Sequence, residues 1–230
     1  MMKKTVLAAA VLLASGLTHA QSSGPSVSVG LRAWQAQWDT FSYTLDQNGD
    51  SVVIQVPAKD KLVLLPVLSV RWGDFTGSLS LYPSTEHEML GGRRDKREEF
   101  DINLGYSVTP GVALTLGYKK VEQRGSLLYA LDGPVAGISG TAPLGQGWSL
   151  YGSLGMGWMK STGSSDVKFD ADYRLSEVGA AYTIPAGTFI KAVTLTAGYR
   201  TQVLTSKDAL PSQDGRDLTQ GFTFGAIATF

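Results

Sequence analysis

Apolar and polar residues alternate with a period of two along nearly the whole chain after its first twenty residues. No window sustains the i, i+3, i+4, i+7 spacing of an amphipathic helix, so the pattern predicts an all-β fold. On 148–160 one parity reads Trp148, Leu150, Gly152, Leu154, Met156, Trp158, and the other reads Ser149, Tyr151, Ser153, Gly155, Gly157, Met159. Ten segments stand out: 26–45, 51–72, 75–87, 94–108, 112–124, 134–143, 148–160, 170–184, 189–205 and 217–230. Several exceed the ~5 to 6 residues of a globular strand and suit a tilted bilayer-crossing strand of ~9 to 11 residues with projecting ends.

The connections alternate between two kinds. Gly73-Asp74, Thr109-Pro110-Gly111, Leu144-Gly145-Gln146-Gly147 and Pro185-Ala186-Gly187-Thr188 are short runs of turn residues. Longer, more polar connections centre on Asn48-Gly49, Gly91-Gly92, 125–133, 163–166 and 206–217. Short turns on one rim and long loops on the other are expected of a membrane barrel. Antiparallel partners in one hairpin share a constant sum of residue numbers, which tests the scheme. Val27 with Val70 centres on Asn48-Gly49, a favoured turn dipeptide. Phe75 with Val108 centres on Gly91-Gly92, Trp148 with Ile184 on Asp166, and Phe189 with Phe230 near Ala209-Leu210-Pro211. Val112 with Pro143 centres on the apolar neighbourhood of Leu127 and Leu128, a poor tip. Four hairpins of five close, so a single ten-stranded antiparallel up-and-down barrel is expected, with eight or twelve strands as alternatives.

Aromatic spacing indicates what covers the apolar face. Trp148 and Trp158 lie ten residues apart on one parity. At ~3.3 Å per residue and ~40° of tilt this projects to ~25 Å, the height of a lipid-facing band between aromatic girdles. Phe189 and Tyr199 repeat the interval. Trp72, Phe75, Tyr106 and Tyr182 fall beside the short turns, while Phe100, Tyr118 and Phe222 fall toward the long loops. The competing arrangement, a sandwich with aromatics in its core, is disfavoured. Pro66 interrupts the second segment, where its missing N–H calls for a bulge.

The opposite parity is small and polar and carries both signs of charge. Arg32, Arg71, Lys119 and Arg200 against Asp101 and Glu177 are expected to form a hydrogen-bonded network in a narrow lumen, since buried charges need partners.

The start of the chain adds a compartment. Lys3 and Lys4, the apolar run 6–13 and small residues ending Thr18-His19-Ala20 have the layout of a cleavable secretory signal spanning 1–20, leaving 21–230 as one domain. The apolar run is too short for a spanning helix. The chain contains no Cys, which excludes a lipid-anchored cysteine and any disulfide framework. Of 20 basic and 20 acidic residues, removal of Lys3 and Lys4 leaves a small acidic excess, which offers no nucleic-acid footprint.

The closing stretch, with Phe222, Phe224, Ala226, Ala228 and Phe230 on one parity and no charge from 221 to 230, completes the set. Signal, alternating segments and terminal aromatic together resemble the bacterial outer-membrane β-barrel class of small porin-like and opacity-type barrels. That resemblance implies both termini on the periplasmic side and contact with outer-membrane lipid and lipopolysaccharide. It also implies that Phe222, Phe224 and Phe230 act as the signal read by the barrel-assembly machinery. Members include solute channels, adhesins, structural barrels and a few hydrolases.

Three features bear on chemistry. His87, within Glu86-His87-Glu88, is the only histidine after residue 20, and its parity within 75–87 points outward. It has no His-x-Ser neighbour, and a metal site would need further ligands, so no catalytic residue, metal or cofactor is expected. Arg93, Arg94, Lys96 and Arg97 crowd a hairpin tip and could grip lipopolysaccharide phosphates, although Glu86, Glu88, Asp95, Glu98 and Glu99 surround them and favour a self-paired ribbon. Trp34, Trp38, Phe41 and Tyr43 precede the Asn48-Gly49 tip, opposite Val52, Val53, Ile54 and Val56; that hairpin either projects to recruit a partner or packs on its neighbours. The expected function is a non-enzymatic structural barrel or restricted small-solute channel. A surface-binding barrel is the second reading and an outer-membrane hydrolase the third.

Overall fold

Eleven strands appear in this computed structural model, which describes residues 24–125, 128–162, 165, 168–207 and 214–230. They are β1 Ser26–Leu45, β2 Ser51–Pro57, β3 Lys61–Trp72, β4 Phe75–Glu88, β5 Arg94–Thr109, β6 Val112–Arg124, β7 Tyr129–Gly145, β8 Trp148–Ser161, β9 Asp170–Pro185, β10 Ala192–Lys207 and β11 Arg216–Thr229. Ten form a closed antiparallel barrel, because β11 pairs back onto β1 from Ser28↔Thr229 to Asp39↔Leu218. The eleventh, β2, pairs with β1 and lies inside the first long connection. The expected signal at 1–20 lies outside the described residues, as do parts of the connections after β6, β8 and β10.

Closure removes the sheet edge that a terminal apolar strand would otherwise expose. Phe230 N donates to Val27 O at 2.8 Å, so the last residue is stitched to the first strand. Short turns occupy one rim. Trp72 pairs with Phe75 across Gly73-Asp74, where Gly73 takes φ +59, a left-handed conformation that favours glycine. On the other rim Asp46 Oδ1 accepts from Asn48 N and Asp50 N at 2.8 and 2.9 Å and closes the β1–β2 tip. These backbone donors, Asp50 first, hold its carboxyl below its ordinary value.

Registers differ instructively from those read off the sequence. Val27 pairs with Val70 as expected. Phe75 pairs with Tyr106 and Trp148 with Tyr182, each two residues from the expected partner, and Thr229 meets Ala192 with the same slip. A slip of two leaves every side chain on its face, so the inside-outside assignment survives. Between β6 and β7 the slip is three, Val112 meeting Gly140, and β7 begins at Tyr129 rather than 134. No bulge occurs at Pro66. The β1–β3 ladder runs unshifted from Ser26↔Arg71 to Ala36↔Lys61 through Leu31↔Pro66, and pairing of β3 with β4 stops next to it at Val67↔Ser80.

The outward face is apolar: Val29, Leu31, Leu68, Ile102, Leu104, Leu116, Leu150 and Leu195, on β1, β3, β5, β6, β8 and β10, are exposed side chains. Aromatic pairs cap it. Phe75 meets Tyr106 at 5.1 Å and Trp148 meets Tyr182 at 4.8 Å on the short-turn side, while Tyr199 meets Phe222 at 5.3 Å on the long-loop side. Trp72, Phe100, Tyr118 and Trp158 are likewise exposed. Phe189 precedes β10 and rests on Phe230 at 5.3 Å, so it belongs to the short-turn rim and not to a strand. Among the described residues no helix is long and apolar enough to cross a membrane.

Candidate functional site: a filled lumen

Period-2 parity sends every second residue of each strand inward, so the lumen is built from alternate positions of ten strands. Two polar clusters occupy its middle. Arg32 on β1 pairs with Glu177 on β9, and Arg200 on β10 approaches the same carboxylate at 3.6 Å. Tyr151 OH donates to Glu177 Oε1 at 3.2 Å. Lys119 on β6 donates to Glu99 at 2.5 Å and to Asp101 at 3.0 Å, both on β5. Arg71 stands apart at the short-turn rim, where its Nε donates to Gly73 O at 3.1 Å.

Sequence reading missed the second half of this network. Arg97 Nε donates to Glu99 Oε1 at 2.7 Å, and its Nη1 donates to Asp217 Oδ1 on β11 at 2.6 Å. Asp217 Oδ2 also accepts from Trp38 Nε1 at 3.0 Å and Tyr129 OH at 2.6 Å. Gln202 Nε2 on β10 donates to Glu99 Oε1 at 2.5 Å, joining strands five positions apart in a ring of ten. The Arg97–Asp217, Tyr129–Asp217 and Gln202–Glu99 bonds cross the bore, while Arg97–Glu99 and Trp38–Asp217 run along its wall. Guanidinium and ammonium groups also cover rings: Arg97 lies 5.3 Å from the Trp38 centroid, Lys119 5.0 Å from Tyr173 and Arg200 5.1 Å from Trp34.

The long-loop mouth is closed by an apolar cluster. Phe41 of the first hairpin stacks on Tyr129 at 6.0 Å and 6°, and meets Phe169 edge-on at 5.8 Å. Leu131, Met159, Tyr173 and Leu204 belong to the same buried group, with Tyr43 and Val53 packed against it. The base of the hairpin, at Phe41, Tyr43 and Val53, therefore packs inward over the mouth, while its tip at Leu45 stands exposed. Trp34 and Trp38, counted with it in the sequence, are fully buried lumen residues. Toward the short turns the inward residues become small and hydroxylic, including Ser28, Ser69, Thr115, Ser139 and Thr194, and Asp101 is 20% exposed there.

Two sequence expectations are corrected. Arg97 is buried in the lumen, which removes it from any lipopolysaccharide-binding group; its parity matches that of Glu99 and Asp101 and could have placed it. Arg94 is exposed and pairs with Glu86 at 3.1 Å, and Arg93 approaches Asp95 at 3.6 Å, while Lys96 is exposed. His87 faces inward, not outward. A β-bulge between Tyr82↔Glu99 and Thr85↔Arg97 inserts one residue into β4 and inverts its parity from there on. Pro83 marks the bulge and was the available signal. His87 Nε2 lies 2.7 Å from Tyr82 OH, its ring sits edge-on to Trp38 at 5.0 Å, and it is fully buried. Among the described residues no group of three His, Cys, Asp or Glu side chains is placed to hold a metal ion.

An apolar exterior between aromatic girdles, around a charged and hydrogen-bonded interior, inverts the arrangement of a water-soluble domain. The chain has the fold of an outer-membrane β-barrel. No protein-family model and no curated protein sequence matches it. Among solved structures it is similar to the outer membrane protease OmpT from Escherichia coli, with a TM-score of 0.49 and 10% identity over 94% of this chain and 99% of that one. It is also similar to a Pseudomonas aeruginosa FadL homologue (TM-score 0.33, 10% identity, 90% and 89% covered) and to the Pseudomonas putida toluene transporter TodX (0.32, 8%, 90% and 89%). The protease, the FadL homologue and the toluene transporter are similar to the chain in fold alone.

Proposed function

We propose that the protein is a non-enzymatic, structural barrel of the bacterial outer membrane whose lumen is sealed against solutes, with its termini on the periplasmic side. The observation that carries this reading is the set of buried bonds joining distant walls, Gln202 to Glu99, Arg97 to Asp217 and Arg32 to Glu177, beneath the Phe41 cluster. A hydrated ion would have to break several charge-assisted bonds to pass, each roughly twice as strong as a neutral one. A restricted channel is therefore the weaker half of the expectation. In planar bilayers the purified protein should show no steady single-channel conductance; reproducible unitary steps from the wild type would overturn the sealed-lumen reading. A catalytic part for His87 has no support, since solvent does not reach its ring.

A second reading, a surface-binding barrel, is favoured by Leu45 and Leu90, which stand exposed on the long-loop rim at 66% and 73%. Binding lost on replacing these two residues, in a protein silent in bilayers, would support it.

Lipid contact follows from the same orientation. Arg93, Arg94 and Lys96 on the β4–β5 hairpin are placed to meet lipopolysaccharide phosphates, though surface pairs with Glu86 and Asp95 compete. Reversing charge at Arg93 and Arg94 together should lower the lipopolysaccharide retained through detergent purification, and unchanged retention rejects the contact. Phe222 and Phe224, exposed on the lipid face, with Phe230 at the closing seam, are proposed as the residues the barrel-assembly machinery reads.

A further inference from the structure

The tip between β1 and β2 carries a chemistry that the barrel wall does not. The chain holds two asparagines, Asn48 and Asn103. Asn103 lies within β5, paired with Ser78 on one side and Gly117 on the other, and the branched Leu104 follows it. Asn48 lies in the connection between β1 and β2, exposed, and Gly49 follows it.

The side-chain carbonyl carbon of an asparagine is an electrophile, and the nitrogen of the next peptide unit is the nucleophile tethered nearest to it. A side chain on the following residue crowds that nitrogen, and glycine has none. At Gly49 the position a Cβ would take is open, with no other heavy atom within 4 Å. Water therefore reaches the tip as freely as the chain can bend there.

Asp46 holds this tip closed. Its Oδ1 accepts from Asn48 N and Asp50 N at 2.8 and 2.9 Å, its Oδ2 accepts from Asn48 Nδ2 at 3.3 Å, and its carbonyl oxygen accepts from Gly49 N at 3.1 Å. The last two bonds engage the two nitrogens that a ring closure uses, the one that leaves and the one that attacks. Closure must therefore wait for the tip to open. Openings of this kind cost little at an exposed loop end with few apolar contacts, and Leu45 beside the tip is itself exposed.

We infer that Asn48 is a site of spontaneous covalent modification, converted together with Gly49 to aspartate and isoaspartate at a rate that Asp46 controls. Gly49 N gives up its proton and bonds to Asn48 Cγ, the Cγ–Nδ2 bond breaks, and ammonia leaves with that proton, closing a five-membered imide. Water then opens the ring. Breaking the new bond to Cγ gives aspartate, and breaking the bond to the Asn48 carbonyl carbon gives isoaspartate, so the net change is amide plus water to carboxylate plus ammonium. Either product sets a new negative charge between Asp46 and Asp50. Isoaspartate also lengthens the main chain of the turn by one atom, which the bonds to Asp46 cannot follow. The reaction involves the hairpin tip alone and proceeds whether or not the lumen conducts.

The folded wild-type protein in detergent, held for days in mildly alkaline buffer and then digested under acidic conditions, tests this by peptide mass spectrometry against an unaged sample. A gain of one mass unit should grow with time at Asn48 and stay absent from Asn103. Asn48 unchanged, or changing no faster than Asn103, overturns the site. The converted peptide should separate chromatographically into an aspartate and an isoaspartate form; aspartate alone means that water attacks the amide directly and overturns the ring closure. D46A, whose folded form is verified by its shift on boiling, should convert severalfold faster than the wild type. An equal or slower rate in that variant overturns the control by Asp46.

Discussion

Replacing Lys119 with methionine is expected to destabilise the folded barrel by about 3–5 kcal/mol, the cost of removing one partner from a buried ion pair. Lys119 is fully buried between Glu99 at 2.5 Å and Asp101 at 3.0 Å. Methionine keeps the length and loses the charge, leaving two carboxylates side by side on the inner face of β5. Glu99 retains Arg97 and Gln202, so the unsatisfied burden falls mainly on Asp101. The paired change K119M with D101N should therefore recover a large part of the loss. The measurement is reversible urea unfolding from lipid vesicles, followed by tryptophan fluorescence. A loss below about 1 kcal/mol, the scale of exposed pairs, would mean that water reaches both carboxylates and that the lumen is wetter than its packing implies.

Much of this architecture can be read from the sequence, because parity depends only on local alternation. Trp148, Leu150, Leu154 and Trp158 are assigned to the lipid by their spacing, and a two-residue error in pairing Trp148 leaves that assignment untouched. Turn chemistry places Gly73-Asp74 and Gly91-Gly92 correctly for the same reason: glycine at positive φ is a local demand. What alternation alone does not carry is a break in parity whose cause is itself one residue long, marked here only by Pro83. Pro83 inverts everything after it in β4 and brings His87 inside. Without that bulge His87 would face lipid, and with it the imidazole closes against Trp38 and Tyr82.

Charge clusters mislead in a related way. Read as a block, Arg93 to Glu99 suggests a solvated ribbon, but alternation splits it into two faces. Asp95, Arg97 and Glu99 go inward and are buried, while Arg94 and Lys96 go outward. The inward trio finds partners on β6, β10 and β11, separated from it by up to 120 residues, and no local pattern announces those contacts. The first long segment shows the remaining limit. Residues 51–72 read as one strand, whereas Ala58, Lys59 and Asp60 divide it, and only the division lets β2 fold back with β1 over the mouth.

That fold-back gives the second large effect. Phe41→Ala should cost about 3–5 kcal/mol, the range for truncating a buried aromatic side chain. In the ladder β2 pairs only with β1, and among the described residues its backbone and side-chain bonds to the wall are few: Gln55 Nε2 donates to Arg216 O at 3.2 Å and Pro57 O accepts from Leu90 N at 2.8 Å. Phe41 is what joins it to the far side, through Tyr129 on β7 and Phe169 before β9. Its loss removes packing on two rings and leaves Tyr43 and Val53 resting on a depleted cluster. Amide hydrogen exchange across 40–56 should accelerate in this variant while the β8 and β9 amides stay protected, because local opening needs only the hairpin to lift. Leu45→Ala, at the exposed tip of the same hairpin, should change stability by no more than about 0.5 kcal/mol. If both substitutions cost equally little, the hairpin stands free of the mouth, and the seal on the lumen rests on the charged network alone.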